Sequence, residues 1–430
     1  MAQVCLQNVR LRATDKALFQ VFVDDDQVIA VEPANTAAAV DEVFDAKGAV
    51  LLPTAVDVGA SLQGPAGAHL EPPQMALASA LQGGIGWLFP HVVDDEVAHL
   101  PFSSWAVLQH DLPEGLPAVG QVGLLSSGGD LAEMATARAR GAQLVGDGPD
   151  ADPSAELLFR AMQYARGLGL PVRTGVQCRA LSAAGCVADT PLSTRLGLEG
   201  IPSSAETIRV HRAIDFAEET GASVVLGPLS CAKSADAIRS ARERGVHVVG
   251  LVALSHLLLD ESAHQQSPYA PHLHLSPPLR TADDRKALRA LVVDGHAWLT
   301  SAHQAMDATD KEVPFDHSTP GGAGFDAFTH LTLSLDGTAD HSALDVDDWV
   351  RACCTGPAAA LGLDLGLDAQ GGVQVGTRCA LQVVRAASPD TSAHFSLPSP
   401  LEGQPCTTQV VATVCGGHLQ VHDASTLEST

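Results

Sequence analysis

The side chains able to do chemistry in this chain are 18 histidines, nine cysteines and 50 acidic residues, and few of them are spaced for it. The histidines, among them His256, His272, His274, His317 and His330, include no H-E-x-x-H pair that a helix would aim at one metal ion. The cysteines, at 5, 178, 186, 231, 353, 354, 379, 406 and 415, form no C-x-x-C pair. An odd, scattered set fits reduced thiols better than a disulfide framework. The acidic runs "VDDDQ", "VVDDE" and "DVDD" lack the D-x-D-x-D-G spacing of a calcium loop and read as solvated turns. "PGGAGF" has no G-K-[ST] ending for a phosphate loop, and "SSGGD" reads as a simple helix-start turn. There remains "LLPTAVDVGASLQGPAG", from residue 51. Its apolar run climbs to Asp57 and is followed by Gly59 and Ser61, neither of which carries a side chain that binds a metal ion well.

The elements that would position such a site follow a repeating order. "SAELLFRAMQYARGLG" leads to "LPVRTGV", "SSAETIRVHRAIDFAEETG" to "ASVVLG", "SADAIRSARERG" to "VHVVGLV" and "DDRKALRALVVDG" to "HAWLTSA". Each unit is a helix of about three turns, a glycine stop and some five β-prone residues. "ALASALQGG" before "IGWLF" and "DLAEMATARARG" before "AQLVG" repeat the pattern. Ser203 and Glu206 have capping-box spacing, and Gly221 stands at the helix stop. With the runs at Ala55–Gly59 and "SWAVLQ", eight strands are predicted, near residues 55, 86, 105, 143, 172, 224, 248 and 298. Alternation in that number predicts a (β/α)8 TIM barrel, whose chemistry sits at the C-terminal strand ends. An open doubly wound sheet is the rival.

The flanks differ. "VFVDDDQVIAVEP" near the start, and "GGVQVGTRCALQVVRA" and "TTQVVATVCGGHLQVHD" near the end, read as strands and turns. Residues 1–52 together with 366–430 are therefore expected to form one small composite β-sandwich around a barrel of residues 53–365. A net charge of −25, from 25 basic and 50 acidic residues, argues against nucleic acid or anionic membranes as partners. No uncharged apolar span of membrane length and no signal-peptide pattern is present, so a cytoplasmic protein is expected.

In this frame the segments resemble the amidohydrolase superfamily and, within it, the dihydroorotases. "LLPTAVDVGASLQGPAG" is similar to their D-x-H-x-H-L-R-x-P-G strand, and "LSPPLR" to their N-P-P-L-R turn. "TRLGLEGIPSSAET" resembles the segment after the fifth strand. "LTSAHQAMDATDKEVPF" resembles the eighth-strand segment, and "GGAGFDAF" the glycine turn over the pyrimidine ring. The order and spacing of these segments hold over nearly the whole chain.

The resemblance implies a cyclic-amide chemistry driven by metal-bound water, whose pKa coordination lowers from 15.7 towards ~7. It also implies where the metal ligands should stand. The first-strand histidines fall on Gly59 and Ser61, and the fourth-strand bridge falls on Gly146, or on Asp147 if the alignment shifts by one residue. The fifth-strand histidine falls on Gly175, the sixth on Pro228 and the eighth-strand aspartate on Ala302. Substrate-binding positions fall on Gln63 in place of an arginine, and on His91 and Ser276 in place of asparagines, while His303 is kept. Gln63 has neither the charge nor the planar fork for a carboxylate. His303 reads as a hydrogen-bonded rim histidine.

On this resemblance the chain is expected to have no catalytic, cofactor-binding or metal-ligating residues, to need no cofactor and not to be an enzyme. "DVGASLQ" and "TSAHQ" are similar to a branch of inactive dihydroorotase homologues that accompany aspartate carbamoyltransferase as structural subunits. Those complexes usually hold six chains of each kind. Gln63 departs from that branch, which is expected to keep the arginine. The implied role is assembly of a carbamoyltransferase hetero-oligomer in pyrimidine synthesis. Two alternatives stay open: an active cyclic amidohydrolase with relocated metal ligands, and a metal-free pyrimidine or nucleotide sensor.

Overall fold

The computed structural model describes residues 4–34, 40, 42–63, 70–91, 112–127, 129–148, 151–335 and 343–422. Eight parallel strand positions close into a (β/α)8 barrel. Strand one is Ala55–Asp57, strand two Ile85–Leu88, strand four Leu144–Gly146 and strand five Val172–Thr174. Strands six, seven and eight are Val224–Leu226, Val248–Ala253 and Ala297–Thr300. Strand three is split. Ala118–Val119 pairs with strand two and Val122–Leu124 with strand four, both parallel. The expected strand "SWAVLQ" lies outside the described residues, and the place between strands two and four is taken by 118–124.

Strands four to eight pair in sequence order, and the ring closes between strands one and eight just past their ends. There Ser61 bridges to both Gln304 and His91, and its backbone N–H donates to His303 O at 2.7 Å. The strands are buried on both faces, which is why they read as short apolar runs rather than alternating ones.

The outer helices owe their orientation to one apolar stripe each. In Ala155–Leu168 the buried residues Leu158, Ala161, Met162 and Ala165 recur every three or four positions. Ser154 caps that helix through Leu157 N–H, and Gly169 ends it in the left-handed region at φ 67°. The helix Ala282–Val293 carries a full capping box between Thr281 and Asp284.

Three local expectations are corrected. Ser203 makes no side-chain cap on the helix Ser204–Thr220, and Glu206 turns inward to accept from the Ser230 and Cys231 backbone N–H groups. A buried carboxylate gains more from these donors than from an exposed cap. "SSGGD" is no helix start, because Ser126–Ser127 pairs antiparallel with Asp130–Leu131 and the helix begins only at Met134. In "DVDD", Asp345 caps the helix Val346–Val350 through Asp348 N–H instead of sitting in a plain turn. "VVDDE" lies outside the described residues.

Both chain ends build a sandwich beside the barrel. One sheet runs Gln27–Pro33, Phe19–Asp24, Val4–Val9, Glu42–Asp45, and the other His418–Val421, Thr408–Cys415, Ala380–Ala386, Val50–Pro53. Leu6, Val21, Leu51, Leu381, Val383 and Val414 fill the space between them. Val50–Pro53 belongs to the sandwich, and Ala55 opens the barrel two residues further on, so strand one is fixed from behind by the second domain.

Candidate functional site

The C-terminal ends of the barrel strands gather the sequence-predicted positions into three groups. The first lies at the seam of strands one and eight. Asp57 is fully buried and takes four donors: Gly59 N–H at 3.1 Å, Thr300 Oγ1–H at 2.6 Å, Ser301 N–H at 3.2 Å and the Ser301 hydroxyl. Four donors saturate a carboxylate. Gly59 has no room for a side chain, since a Cβ built there would stand 2.6 Å from Thr300 Oγ1 and 3.1 Å from Thr300 Cβ. A histidine at 59 is thus excluded by packing as well as by the residue present.

His303 is buried rather than on the rim, at 1% exposure. Its Nδ1 accepts from Gly324 N–H at 3.3 Å, which places the proton on Nε2, donating to Glu71 at 2.9 Å. The ring stacks flat on Phe325 with centroids 3.8 Å apart. Gln63 donates to Ala305 O at 3.3 Å, and so ties the segment after strand one to the segment after strand eight.

The second group surrounds strands four and five. Asp147 is buried and accepts from Thr174 Oγ1 at 2.8 Å and Gly175 N–H at 3.2 Å. Burial pushes its pKa up to about 6, against the opposing pull of Thr174, Arg209, Gly175 and Arg173. Gly175 contributes only backbone, its carbonyl accepting from Arg209 at 2.8 Å. His91 Nδ1–H donates to Asp147 O at 3.2 Å, leaving a buried Nε2 lone pair without a partner. Burial, with Arg173 nearby, holds this imidazole well below its ordinary pKa, so it is neutral at pH 7.

Between these groups stands Arg173, a residue that sequence reasoning missed. Its side chain is completely buried. Nη1 donates to Val58 O at 2.7 Å and Phe89 O at 2.6 Å, and Nη2 donates to Pro90 O at 2.9 Å. A Cβ built on Gly146 would lie 3.2 Å from Arg173 Nε and 3.4 Å from Nη2, so the guanidinium lies against the strand-four position. Burial draws its pKa down to about 10, while Asp147 and Asp57 pull it up, and it stays charged at neutral pH. The signal in the sequence was a lone arginine inside the apolar strand "LPVRTGV".

The third group is Pro228, Ser276 and Ala302, which line a cavity of ≈ 40 Å³ with Ser255, His256 and Ser301. That volume admits a few water molecules at most. His256 Nε2–H donates to Pro277 O at 3.1 Å, and burial lowers its pKa to about 4.

The donor set does not fit the metal that the resemblance implies. Of the aligned positions only Ser61 and Asp147 carry side-chain oxygen. Asp57 and Asp147 already hold internal donors, and a charged guanidinium occupies the space between strands one, two and four. A divalent ion placed there would meet like-charge repulsion in a poorly screened interior. Among the described residues, no three His, Cys, Asp or Glu side chains are grouped to hold a metal ion.

Comparison with known proteins places this geometry. No family model matches the sequence. The fold is that of the hydantoinases: L-hydantoinase (dihydropyrimidinase) from Arthrobacter aurescens superposes with a TM-score of 0.80 over 98% of each chain, at 18% identity. Among sequence relatives, a dihydroorotase from Anaeromyxobacter dehalogenans is 32% identical over 333 residues, 76% of each chain. A dihydroorotase from Pelobacter propionicus is 30% identical over 395 residues, 89% of this chain and 90% of that one. A dihydroorotase-like protein from Pseudomonas putida is 30% identical over 349 residues, 80% of this chain and 81% of that one. The chain belongs to the dihydroorotase family of the amidohydrolase superfamily.

This kinship corrects one expectation. The chain was expected not to be an enzyme, but relatives 30–32% identical over at least three quarters of it are named dihydroorotase, and its structural neighbours hydantoinase, all names of enzymes. The expectation rested on a handful of aligned side chains, whereas the relationship rests on hundreds of residues. No helix among the described residues is long and apolar enough to cross a membrane.

Proposed function

We propose that this dihydroorotase-family chain is an assembly subunit of an aspartate carbamoyltransferase hetero-oligomer in pyrimidine synthesis, acting in the cytoplasm, and that its barrel mouth is a structural centre rather than a metal site. The observation that carries this reading is the packing of the mouth. Thr300 fills the space beside Gly59, and the Arg173 guanidinium fills the space beside Gly146. Asp147, the one aligned acid, is bonded to the Thr174 hydroxyl and the Gly175 N–H. The partner is supported by the likeness of "DVGASLQ" and "TSAHQ" to subunits that accompany the carbamoyltransferase. Purifying the chain with and without that enzyme tests the role. Co-elution, with a larger or more stable transferase assembly, supports it. If the two never co-elute and the transferase assembles and works equally well alone, the role is wrong.

A second reading is favoured by the relatives' names: hydrolysis or closure of a cyclic ureide, using ligands other than the aligned ones. Stoichiometric zinc or manganese in the purified chain, together with turnover of dihydroorotate or a hydantoin, supports it. A chain without either loses this reading.

A further inference from the structure

We propose that Arg173 is the internal cation of the barrel mouth: a positioning residue whose guanidinium, lying against strand four, holds the ends of strands one and two where a metal ion would otherwise tie them. The inference rests on the reading of the mouth as a structural centre and says what holds that centre together.

Three observations combine. First, the guanidinium gathers carbonyls from two strand ends, Val58 after strand one and Phe89 and Pro90 after strand two, at 2.6–2.9 Å. Carbonyl oxygens converging on one buried point present negative potential, and hydrogen bonds from a cationic donor are roughly twice as strong there as those from a neutral one. Second, two buried carboxylates, Asp57 and Asp147, lie near enough to the guanidinium to act on its charge. The charge is therefore balanced without an ion from solution. Third, the space for it is built by sequence. Gly146 is the residue whose missing side chain lets the guanidinium lie against strand four. Arg173 is itself on strand five, so one side chain contacts the ends of strands one, two and four. Its Nε has no partner, so the planar fork is committed to the carbonyls through its two terminal nitrogens.

The shape requirement is specific. A lysine ammonium is a point donor and cannot reproduce a planar fork reaching three carbonyls. Nor can the guanidinium move aside, since those three bonds pin it, and an alanine at 146 would press on it at 3.2 Å.

The test is chemical rescue. Arg173→Ala leaves a guanidinium-shaped void lined by carbonyls, and its melting temperature is expected to fall by ~5 °C or more relative to the parent chain. Millimolar guanidinium or methylguanidinium chloride should recover part of that loss in the variant while leaving the parent unchanged. Urea, the neutral isostere, should recover nothing. Arg173→Lys should melt below the parent, because one ammonium replaces the fork. A variant that melts with the parent, or one for which guanidinium and urea behave alike, overturns the proposal. Should Arg173→Ala give no folded chain, Gly146→Ala carries the decision: a lowered melting temperature supports the pinned guanidinium, and an unchanged one overturns it. Co-elution with the carbamoyltransferase is scored separately on the parent chain, so failure of the assembly role and failure of the internal cation are distinguishable.

Discussion

Asp57 and Asp147 are both buried carboxylates at strand ends of one barrel, yet their surroundings differ. Asp57, at the seam of strands one and eight, receives four donors from Gly59, Thr300 and Ser301. Asp147, at strands four and five, receives two, and burial raises its pKa to about 6. The seam is a finished joint in which the carboxylate does the fastening. The strand-four side is an unfinished one, where the acid is under-solvated and the balancing charge comes from arginines. The contrast teaches that burial alone does not decide what a carboxylate is for; the number of donors facing it does.

The largest expected effect breaks the seam. Asp57→Ala strands four donors around an empty site and should cost about 3–5 kcal/mol in chemical denaturation. The corresponding change at Asp147 strands only two. A smaller loss at Asp57 than at Asp147→Ala would reverse the comparison.

Next comes the pH dependence of the strand-four side. The Asp147 pKa in the folded chain, about 6, lies above its ordinary value of 3.8. The folded state therefore keeps this proton longer than the unfolded state as pH rises. Stability from this group is fully present below about pH 4 and is lost as pH rises through about 6. Relative to Asp147→Asn, which cannot titrate, the parent chain should lose on the order of 2–3 kcal/mol between those values. Denaturant melts of both proteins across that window check it, and parallel curves would contradict it.

A smaller effect sharpens the packing argument. Gly59→Ala drives a Cβ to 2.6 Å from Thr300 Oγ1, whose hydroxyl is held by Asp57. The expected cost is ~1–2 kcal/mol of overpacking. It should shrink in a Thr300→Ala background, where a double-mutant cycle measures the coupling. Additive costs would mean that Thr300 is not the obstacle. The smallest effect is at the shell, where Glu218 pairs with Arg244 in the open, their side chains 47% and 48% exposed. Glu218→Gln should melt with the parent, since exposed pairs of this kind contribute little.

Much of the architecture was legible because it depends on local chemistry. Apolar runs after glycine stops marked six of the barrel strand positions, and the apolar run at Ala55 marked a seventh, strand one. Strand three was not legible: "LPAVGQVGLL" interrupts its apolar residues with glycines and is split into two short pairings. The site was half legible. Gly59, Gly146 and Asp147 could be picked out as the positions to watch, but their neighbours could not. Thr300 is 243 residues from Asp57, and Arg173 reaches carbonyls 84 and 115 residues away. Such partners are set by barrel closure, which no local pattern encodes. The capping-box spacing of Ser203 and Glu206 misled for the same reason, since Ser230 and Cys231 offered Glu206 a buried set of donors.

The most direct measurement is the metal content of the mouth. Purified without chelator, equilibrated with zinc or manganese and then desalted, the chain should retain well under one equivalent of metal, and its melting temperature should not change on adding a chelator. One or more equivalents tightly held by the parent chain and lost in Asp147→Ala or His91→Ala would contradict the account, for the strand ends would then grip a cation despite the arginine between them.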